Sequence, residues 1–338
     1  MTEETNLDRR SFLQRAVLTA AAGELAFSSA SRAGSAVQDP LATFATVKQV
    51  EAGVLNVGYA DLGSAQAPAV ILLHGWPYDI HSYIHVAPLL VSAGFRVVVP
   101  YLRGFGSTRL LSGETPRNGQ QSATGTDVID LMNALGIEKA VVAGFDWGAR
   151  TACVVAALWP ERCTALVSVS GYLIVNIEIN KQPLPPAAEL GWWYQYYFAT
   201  ERGRAGYEKN RREFAKLIWK SASPKWAFDD ATFERSADAF DNPDHVAIVI
   251  HNYRWRLGLA PGEARYDSIE ARLQQTPVIT VPTITIGSDF DGAAADGTGY
   301  AAKFSGQHMH RVLPGIGHNV PHEAPKAFAA AVIEASGY

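Results

Sequence analysis

The chain of 338 residues has few cysteines, no surplus of positive charge and, after its first 36 residues, no long apolar run. Its two cysteines, Cys153 and Cys163, cannot form a disulfide framework, and their apolar neighbours predict buried thiols, with a single disulfide as the alternative. The formal charge of -4 offers no basic surface for nucleic acid or an anionic membrane, which favours a small neutral, largely apolar substrate. Outside the N-terminal segment, no stretch reaches the roughly 18 to 20 apolar residues that span a bilayer.

The composition is that of a globular enzyme, since 48% of the residues are hydrophobic and 18% are charged. The sequence contains no clustered His, Cys and carboxylate spacing typical of metal sites and no phosphate-binding loop. We therefore expect neither a metal nor an organic cofactor.

The first 36 residues differ in kind from the rest. Arg9 and Arg10, followed by Ser-Phe-Leu-Gln, resemble the twin-arginine export motif, and a moderately apolar stretch over 16–27 follows them. Small residues then end near Ala33 or Ala36. Residues 1–36 are predicted to be a removable signal, read by the twin-arginine export machinery, for a periplasmic or secreted enzyme. A disordered cytosolic tail is the alternative.

From residue 43 onward, strand-like apolar runs alternate with helical patterns, which predicts an α/β fold with a mostly parallel sheet and helices on both faces. The predicted strands are 54–59, 69–73, 96–99, 140–144, 165–170, 283–286 and 310–313. The alternation stops between 174 and 262, where aromatic-rich helical segments predict an inserted cap. The expected organisation is a first core segment over 43–175, the cap over 176–262 and a second core segment over 263–338.

The segment Gly144-Phe145-Asp146-Trp147-Gly148 follows a predicted buried strand and precedes a predicted helix. Glycines at this spacing permit the sharp strand-to-helix turn, called a nucleophile elbow, that aims its middle side chain outward. A carboxylate at that position attacks an sp3 carbon and forms an ester with the enzyme. Asp146 therefore predicts a substrate with an electrophilic carbon, such as an epoxide or an alkyl halide.

Two further motifs each follow a predicted strand. His74-Gly75-Trp76-Pro77 predicts a loop at the carboxyl edge of the sheet, where the backbone N–H of Trp76, with that of Trp147, would form an oxyanion hole. We expect His74 to brace this loop, and Arg103 to act as a brace in its own segment.

Near the end of the chain, the Gly-flanked His318 is the predicted base that activates water. Its orienting acid is Asp291 or, as the alternative, Asp289, and the loop length favours Asp291.

These three motifs, His74 to Pro77, Gly144 to Gly148 and Gly317-His318, resemble those of the α/β-hydrolase superfamily. Within it, they resemble the branch with an aspartate nucleophile, which holds epoxide hydrolases and haloalkane or haloacid dehalogenases. The resemblance covers about residues 43–338 and is diffuse in the cap. It implies a hydrolase that opens epoxides to vicinal diols through an ester on Asp146.

The resemblance also implies an oxirane-activating pair of cap tyrosines. The segment that begins at Tyr194 resembles the first cap motif of epoxide hydrolases, and the segment around Tyr253 resembles the second. Tyr194 and Tyr253 are therefore the expected pair, with Tyr196 and Tyr197 in reserve. Packing or helix capping is the alternative role for any of these aromatics.

Two other functions stay open at this point. A dehalogenase would use the same aspartate and base on a carbon–halogen bond. A haloacid enzyme would be expected to hold the substrate carboxylate with arginines after the nucleophile, where Arg150 fits one position and Trp147 occupies the other. The second possibility is a non-catalytic ligand-binding protein with the same fold.

Overall fold

The computed structural model describes residue 44, residues 46–290 and residues 296–338. The predicted leader, residues 1–36, and Asp291 lie outside these described residues. In the part of the chain described, no helix is long and apolar enough to cross a membrane.

A nine-stranded sheet forms the centre of the fold. Its strands are β1 Lys48–Ala52, β2 Leu55–Leu62, β3 Ala69–Leu73, β4 Arg96–Pro100, β5 Arg109–Leu110, β6 Ala140–Gly144, β7 Cys163–Val169, β8 Thr283–Ser288 and β9 His308–Leu313. The spatial order is β1-β2-β4-β3-β6-β7-β8-β9, and β5 pairs with β2. All pairs from β4 to β9 are parallel, whereas β1, β2 and β5 are antiparallel to their neighbours. The predicted mostly parallel α/β sheet is confirmed.

All seven predicted strands are present, and two strands were missed. The bounds predicted for β3 and β6 agree with the structure, because both strands are buried on both faces and appear in the sequence as uninterrupted apolar runs. Strand β1 has the sequence Lys-Gln-Val-Glu-Ala and lies at the edge of the sheet with most side chains solvated. A polar edge strand of this kind carries no apolar pattern, which explains why it was not predicted.

Helices surround the sheet and fill the long insertion between β7 and β8. They are α1 Ala87–Ser92, α2 Gln121–Ala134, α3 Trp147–Leu158, α4 Ile177–Asn180, α5 Pro186–Gly191, α6 Trp193–Ala199, α7 Glu201–Lys209, α8 Arg211–Ala222, α9 Asp230–Ala237, α10 His245–Arg256, α11 Asp267–Gln274, α12 Val320–Glu323 and α13 Pro325–Ala335. Short 3-10 helices span Ile80–Tyr83, Pro160–Arg162, Asp238–Asp241, Ala264–Tyr266 and Thr298–Lys303. The predicted cap, residues 176–262, lies within the insertion.

Aromatic side chains form the interior of this helical insertion. Phe198, Tyr207 and Phe214 come from three successive helices, and their rings lie 5.0 to 5.4 Å from one another. Large rings bury much apolar surface per residue, so helices as short as α6 can be held by tertiary packing. The same cluster reaches the loop after β3, because the Trp76 ring contacts Phe198 and Tyr207.

The two cysteines are free and buried, which confirms the predicted buried thiols and excludes the alternative disulfide. Cys153 lies in α3, and its Sγ is 3.5 Å from the Ser168 hydroxyl. Burial is the main cause that raises the pKa of both thiols. Both are therefore protonated, inert side chains of the core at neutral pH.

Candidate active site

The turn between β6 and α3 holds Asp146 in a conformation that ordinary residues rarely adopt. Its φ is 52° and its ψ is -122°. A Cβ on Gly148 would lie 1.8 Å from the Leu73 carbonyl oxygen, and one on Gly144 would lie 2.5 Å from the Gly148 carbonyl carbon. The glycines are therefore required by contact between backbones, and the strained turn aims the Asp146 side chain at the carboxyl edge of the sheet.

The Asp146 carboxylate meets groups from two other loops. The Trp76 backbone N–H donates a 2.7 Å hydrogen bond to Oδ1, and Nε2 of His318 lies 3.4 Å from Oδ2. Burial raises the pKa of Asp146, but the bond and charge of His318, with smaller contributions from Trp76 and Arg150, outweigh it and lower the pKa overall. The nucleophile predicted from the sequence is thus ionised at neutral pH and adjacent to the predicted base.

The two predicted oxyanion donors, the backbone N–H groups of Trp76 and Trp147, differ from each other in their contacts with Asp146. The Trp76 N–H already bonds the carboxylate, whereas no hydrogen bond joins the Trp147 N–H to Asp146 within the described part of the chain. Trp147 is the first residue of α3, so its N–H is at the positive end of the helix dipole.

A buried relay that the sequence did not predict fixes the Trp76 side chain. The indole Nε1–H of Trp76 donates to the Tyr207 hydroxyl at 2.8 Å, and that hydroxyl lies 2.8 Å from Nε2 of His245. Nδ1 of His245 lies 2.8 Å from the Gly104 carbonyl oxygen. Burial lowers the pKa of His245 to about 3, so the ring is neutral. Because a carbonyl only accepts, Nδ1 carries the proton and Tyr207 donates to Nε2.

His74 and Arg103 have the contacts of structural braces. His74 is fully buried, its Nδ1 lies 2.9 Å from the Gly75 carbonyl oxygen, and its Nε2 accepts from the Leu102 N–H. Burial lowers the pKa of His74 to about 4, which keeps it neutral. Arg103 binds both oxygens of Asp127 at 2.6 Å. These contacts agree with the bracing roles expected for both residues.

The loop that carries His318 is fastened by two residues that sequence reasoning missed. The backbone N–H of His318 donates to the Ser223 hydroxyl, and Ser223 donates to Glu323. Glu323 also accepts from the backbone N–H groups of Gly317 and Asn319. Glu323 lies four residues after Asn319, one more than the spacing of a capping box, so no established sequence signal marked this contact. The serine comes from the inserted helices and gave no local signal.

No carboxylate among the described residues bonds Nδ1 of His318. Nδ1 of His318 is buried and bonds to none of the described residues. Asp289 is exposed and bonds instead to Lys225 at 2.6 Å and to the Gly315 N–H at 3.0 Å. Its pKa is lowered by Lys225 and then by Gly315. Asp291, the favoured acid, lies outside the described residues, so its assignment stays a prediction.

The two predicted cap tyrosines lie together beside the nucleophile. The rings of Tyr194 and Tyr253 are 5.5 Å apart, and each is 5.2 Å from the Trp76 ring. Burial, followed in Tyr253 by Tyr194, raises both phenol pKa values, and the Asp146 charge contributes to each rise. Both phenols therefore keep their protons and remain donors. The reserve Tyr197 stacks on Phe214.

Two cavities of about 670 and 360 Å³ share a boundary at Tyr194, Phe290 and His318. The larger is mainly apolar, and its walls include Trp76 and Ile218. Asp146 faces the smaller one, which also contains the side chains of Arg150 and Arg256. No group of three or more His, Cys, Asp or Glu side chains able to hold a metal occurs in the described ranges.

Comparison with known proteins places the chain in a family. A sequence model described as the alpha/beta hydrolase fold matches residues 68–206. The crystal structure of a candidate epoxide hydrolase from Klebsiella pneumoniae is 58% identical, with a TM-score of 0.87, over 89% of this chain and 100% of that chain. The chain belongs to the α/β-hydrolase family of enzymes.

Within that family, the similarity is to epoxide hydrolases. Epoxide hydrolase B from Mycobacterium tuberculosis is 33% identical over 150 residues, which are 41% of this chain and 42% of that protein. Epoxide hydrolase A from the same organism is 26% identical over 86% of this chain and 96% of that protein. The match to epoxide hydrolase B therefore spans less than half of that protein's length, whereas the match to epoxide hydrolase A spans nearly all of it.

Proposed function

We propose that this protein hydrolyses epoxides to vicinal diols through a covalent ester on Asp146. The observation that carries the proposal is the meeting of three groups at one cavity: an ionised carboxylate on a strained elbow, a histidine 3.4 Å from it, and the protonated phenol of Tyr194, whose ring packs 5.5 Å from that of the buried Tyr253. The similarity to curated epoxide hydrolases supports the same activity.

In the first step, Asp146 attacks an oxirane carbon and the carbon–oxygen bond of the ring breaks. Opening the ring creates an alkoxide, which leaves poorly unless it receives a proton or hydrogen bonds. Tyr194 and Tyr253 supply these donors, since burial keeps both phenols protonated. The product of this step is a hydroxyalkyl ester of the enzyme.

In the second step, His318 removes a proton from water, which attacks the ester carbonyl of Asp146. Asp291 is the acid proposed to orient His318 and to stabilise its cationic form. The N–H groups of Trp76 and Trp147 stabilise the oxyanion, a contribution of about 2.7 to 4 kcal/mol per donor. Collapse of the tetrahedral intermediate releases the diol and restores the carboxylate.

The test is to trap the ester in a His318→Gln variant. Incubated with styrene oxide, this variant is expected to gain the mass of one substrate on the peptide that contains Asp146. The matched control, Asp146→Asn with His318→Gln, is expected to gain none. No added mass in the single variant, together with diol formation by the wild-type protein, would contradict the ester. A non-catalytic binding protein would give neither adduct nor diol.

Dehalogenation is the second candidate, because the same carboxylate can displace a halide and Arg150 lies in the cavity with it. Halide release from a panel of haloalkanes and haloacids, compared with diol formation from styrene oxide and epichlorohydrin, separates the two activities. Undiminished epoxide turnover in the double variant Tyr194→Phe with Tyr253→Phe would contradict the role given to the phenols.

We also propose that residues 1–36 direct the precursor to the twin-arginine export machinery. The motif around Arg9 and Arg10 supports this proposal. Replacing both arginines by lysine is expected to retain the full-length precursor in the cytoplasm, measured by fractionation and immunoblotting. Equal periplasmic amounts of the wild-type protein and the double-lysine variant would contradict it.

A further inference from the structure

We propose that Arg150 and Arg256 bind a carboxylate group of the substrate, so that the epoxide opened here is a short epoxy acid. The inference rests on the epoxide-opening function proposed above and adds a substrate class to it. Both arginines lie in the 360 Å³ cavity together with Asp146 and His318.

The two guanidinium groups have many more donors than partners. A guanidinium carries five N–H donors. Arg150 gives one hydrogen bond, from Nη1 to the Leu173 carbonyl oxygen at 3.2 Å, and its buried Nε bonds to none of the described residues. Arg256 is only 9% exposed, its charge lies 5.4 Å from the centre of the Tyr253 ring, and its buried Nε is likewise unbonded in the described part of the chain.

Neither arginine forms an ion pair among the described residues, in contrast to Arg103, which is also buried and binds Asp127 with two hydrogen bonds. Glu189 lies in the same cavity, but one of its oxygens accepts from the Leu184 N–H and neither pairs with an arginine. Burial, and after it the charge of Arg256, lowers the pKa of Arg150 to about 10. Arg256 is buried and Arg150 is half-buried, so holding both cations together out of water is costly, and a bound anion relieves that cost.

A carboxylate is the anion that this site fits best. Its two oxygens match the planar fork of a guanidinium, which binds carboxylates with paired hydrogen bonds. Asp146 contributes a negative charge to the same cavity, which disfavours a doubly charged group such as a phosphate monoester. The charge of the whole chain predicted a neutral substrate, and the local pair of arginines departs from that expectation.

The positions of the arginines place the carboxylate near the reacting atoms. Arg150 lies one helical turn after Asp146, and its backbone N–H bonds the Asp146 carbonyl oxygen at 3.0 Å. Arg256 lies three residues after Tyr253 in α10. One turn corresponds to a rise of about 5.4 Å, so the backbones of the two arginines lie about one turn from the nucleophile and from the phenol, respectively. Because both arginines line the cavity that Asp146 faces, we expect the carboxylate to be attached directly to the oxirane or one carbon away.

The experiment compares glycidate with glycidamide, an uncharged analogue of nearly the same shape. We expect the wild-type kcat/KM to favour glycidate by tenfold or more, and Arg256→Met to reduce that ratio by about 10- to 100-fold. Arg256→Lys, which keeps the charge and loses the fork, should give an intermediate ratio. The matched control is Arg272→Met, which removes an exposed arginine of α11 and should leave the ratio unchanged.

A wild-type ratio near one, or a ratio that Arg256→Met leaves unchanged while circular dichroism shows a folded protein, would overturn the carboxylate site and leave the epoxide-opening function standing. If the wild-type protein opens no epoxide, the proposed function fails, and calorimetric titration then tests the site alone. Glycerate should bind at least tenfold more tightly than glycerol, and Arg256→Met should abolish this difference. Equal binding of the two would overturn the site.

Discussion

Tyr207→Phe tests whether the buried relay behind Trp76 stabilises the fold and positions Trp76, the proposed oxyanion donor. The substitution removes one hydroxyl that accepts from Trp76 at 2.8 Å and donates to His245 at 2.8 Å. Trp76, Tyr207 and His245 are at most 1% exposed, so no water replaces the lost bonds. An indole N–H and an imidazole nitrogen are left buried without partners.

Each unsatisfied buried group costs about 1 to 3 kcal/mol, so Tyr207→Phe should lower the free energy of unfolding by about 2 to 6 kcal/mol. Domains of this kind are stabilised by roughly 5 to 15 kcal/mol, so the change is large enough to measure. Equilibrium unfolding in urea, followed by tryptophan fluorescence, gives the difference. We also expect kcat to fall, because the Trp76 backbone N–H is less firmly held beside Asp146.

The matched control is Tyr197→Phe, which removes the same atom from a cap tyrosine whose hydroxyl makes no hydrogen bond within the described residues. Its free energy of unfolding should lie within about 0.5 kcal/mol of the wild-type value. A Tyr207→Phe protein as stable as this control, with unchanged kcat, would show that the relay neither stabilises the fold nor positions Trp76.

Two further predictions concern the elbow and a buried ion pair. Gly148→Ala places a Cβ 1.8 Å from the Leu73 carbonyl oxygen and should lower the urea midpoint strongly, whereas Gly191→Ala meets no atom within 4 Å and should raise it slightly; equal midpoints would refute the packing argument. Burial lowers the pKa of His81, but the charge and 2.6 Å bond of Asp79 raise it overall above 6.5. The raised folded pKa means that the stabilisation is complete below about pH 6.5 and is lost as the pH rises through the folded value. The difference in urea midpoint between the wild-type protein and His81→Gln should therefore be largest at about pH 6 and narrow as the pH rises through the folded pKa, and a constant difference would contradict the assignment.

The strand pattern and the order of the motifs were predictable because both are local properties of the chain. Parallel strands buried on two faces appear as apolar runs, and β3 and β6 were predicted with their observed bounds. The elbow glycines were predictable for a related reason: a tight turn with a close backbone approach accepts no other residue at Gly148. Asp146 and His318 were predicted as site residues from such local signals, and the fold brings Oδ2 of Asp146 within 3.4 Å of Nε2 of His318.

Contacts between distant segments could not be predicted in the same way. Ser223 and Tyr207 belong to the long insertion, yet one holds the loop of His318 and the other holds the side chain of Trp76. Their sequence neighbourhoods are those of ordinary packed helices. Many ring contacts together set which face of the long insertion packs against the sheet. Because these contacts have no fixed spacing along the chain, they leave no pattern in the sequence.

The sequence by itself determined the parallel part of the sheet and the elbow and indicated a hydrolase, because backbone sterics and apolar periodicity act over a few residues. Only the tertiary structure decided that Arg150 and Arg256, 106 positions apart in the sequence, face one cavity without a carboxylate partner among the described residues. Burial and charge pairing are properties of the folded interior, and they arise when helices from separate regions of the chain meet.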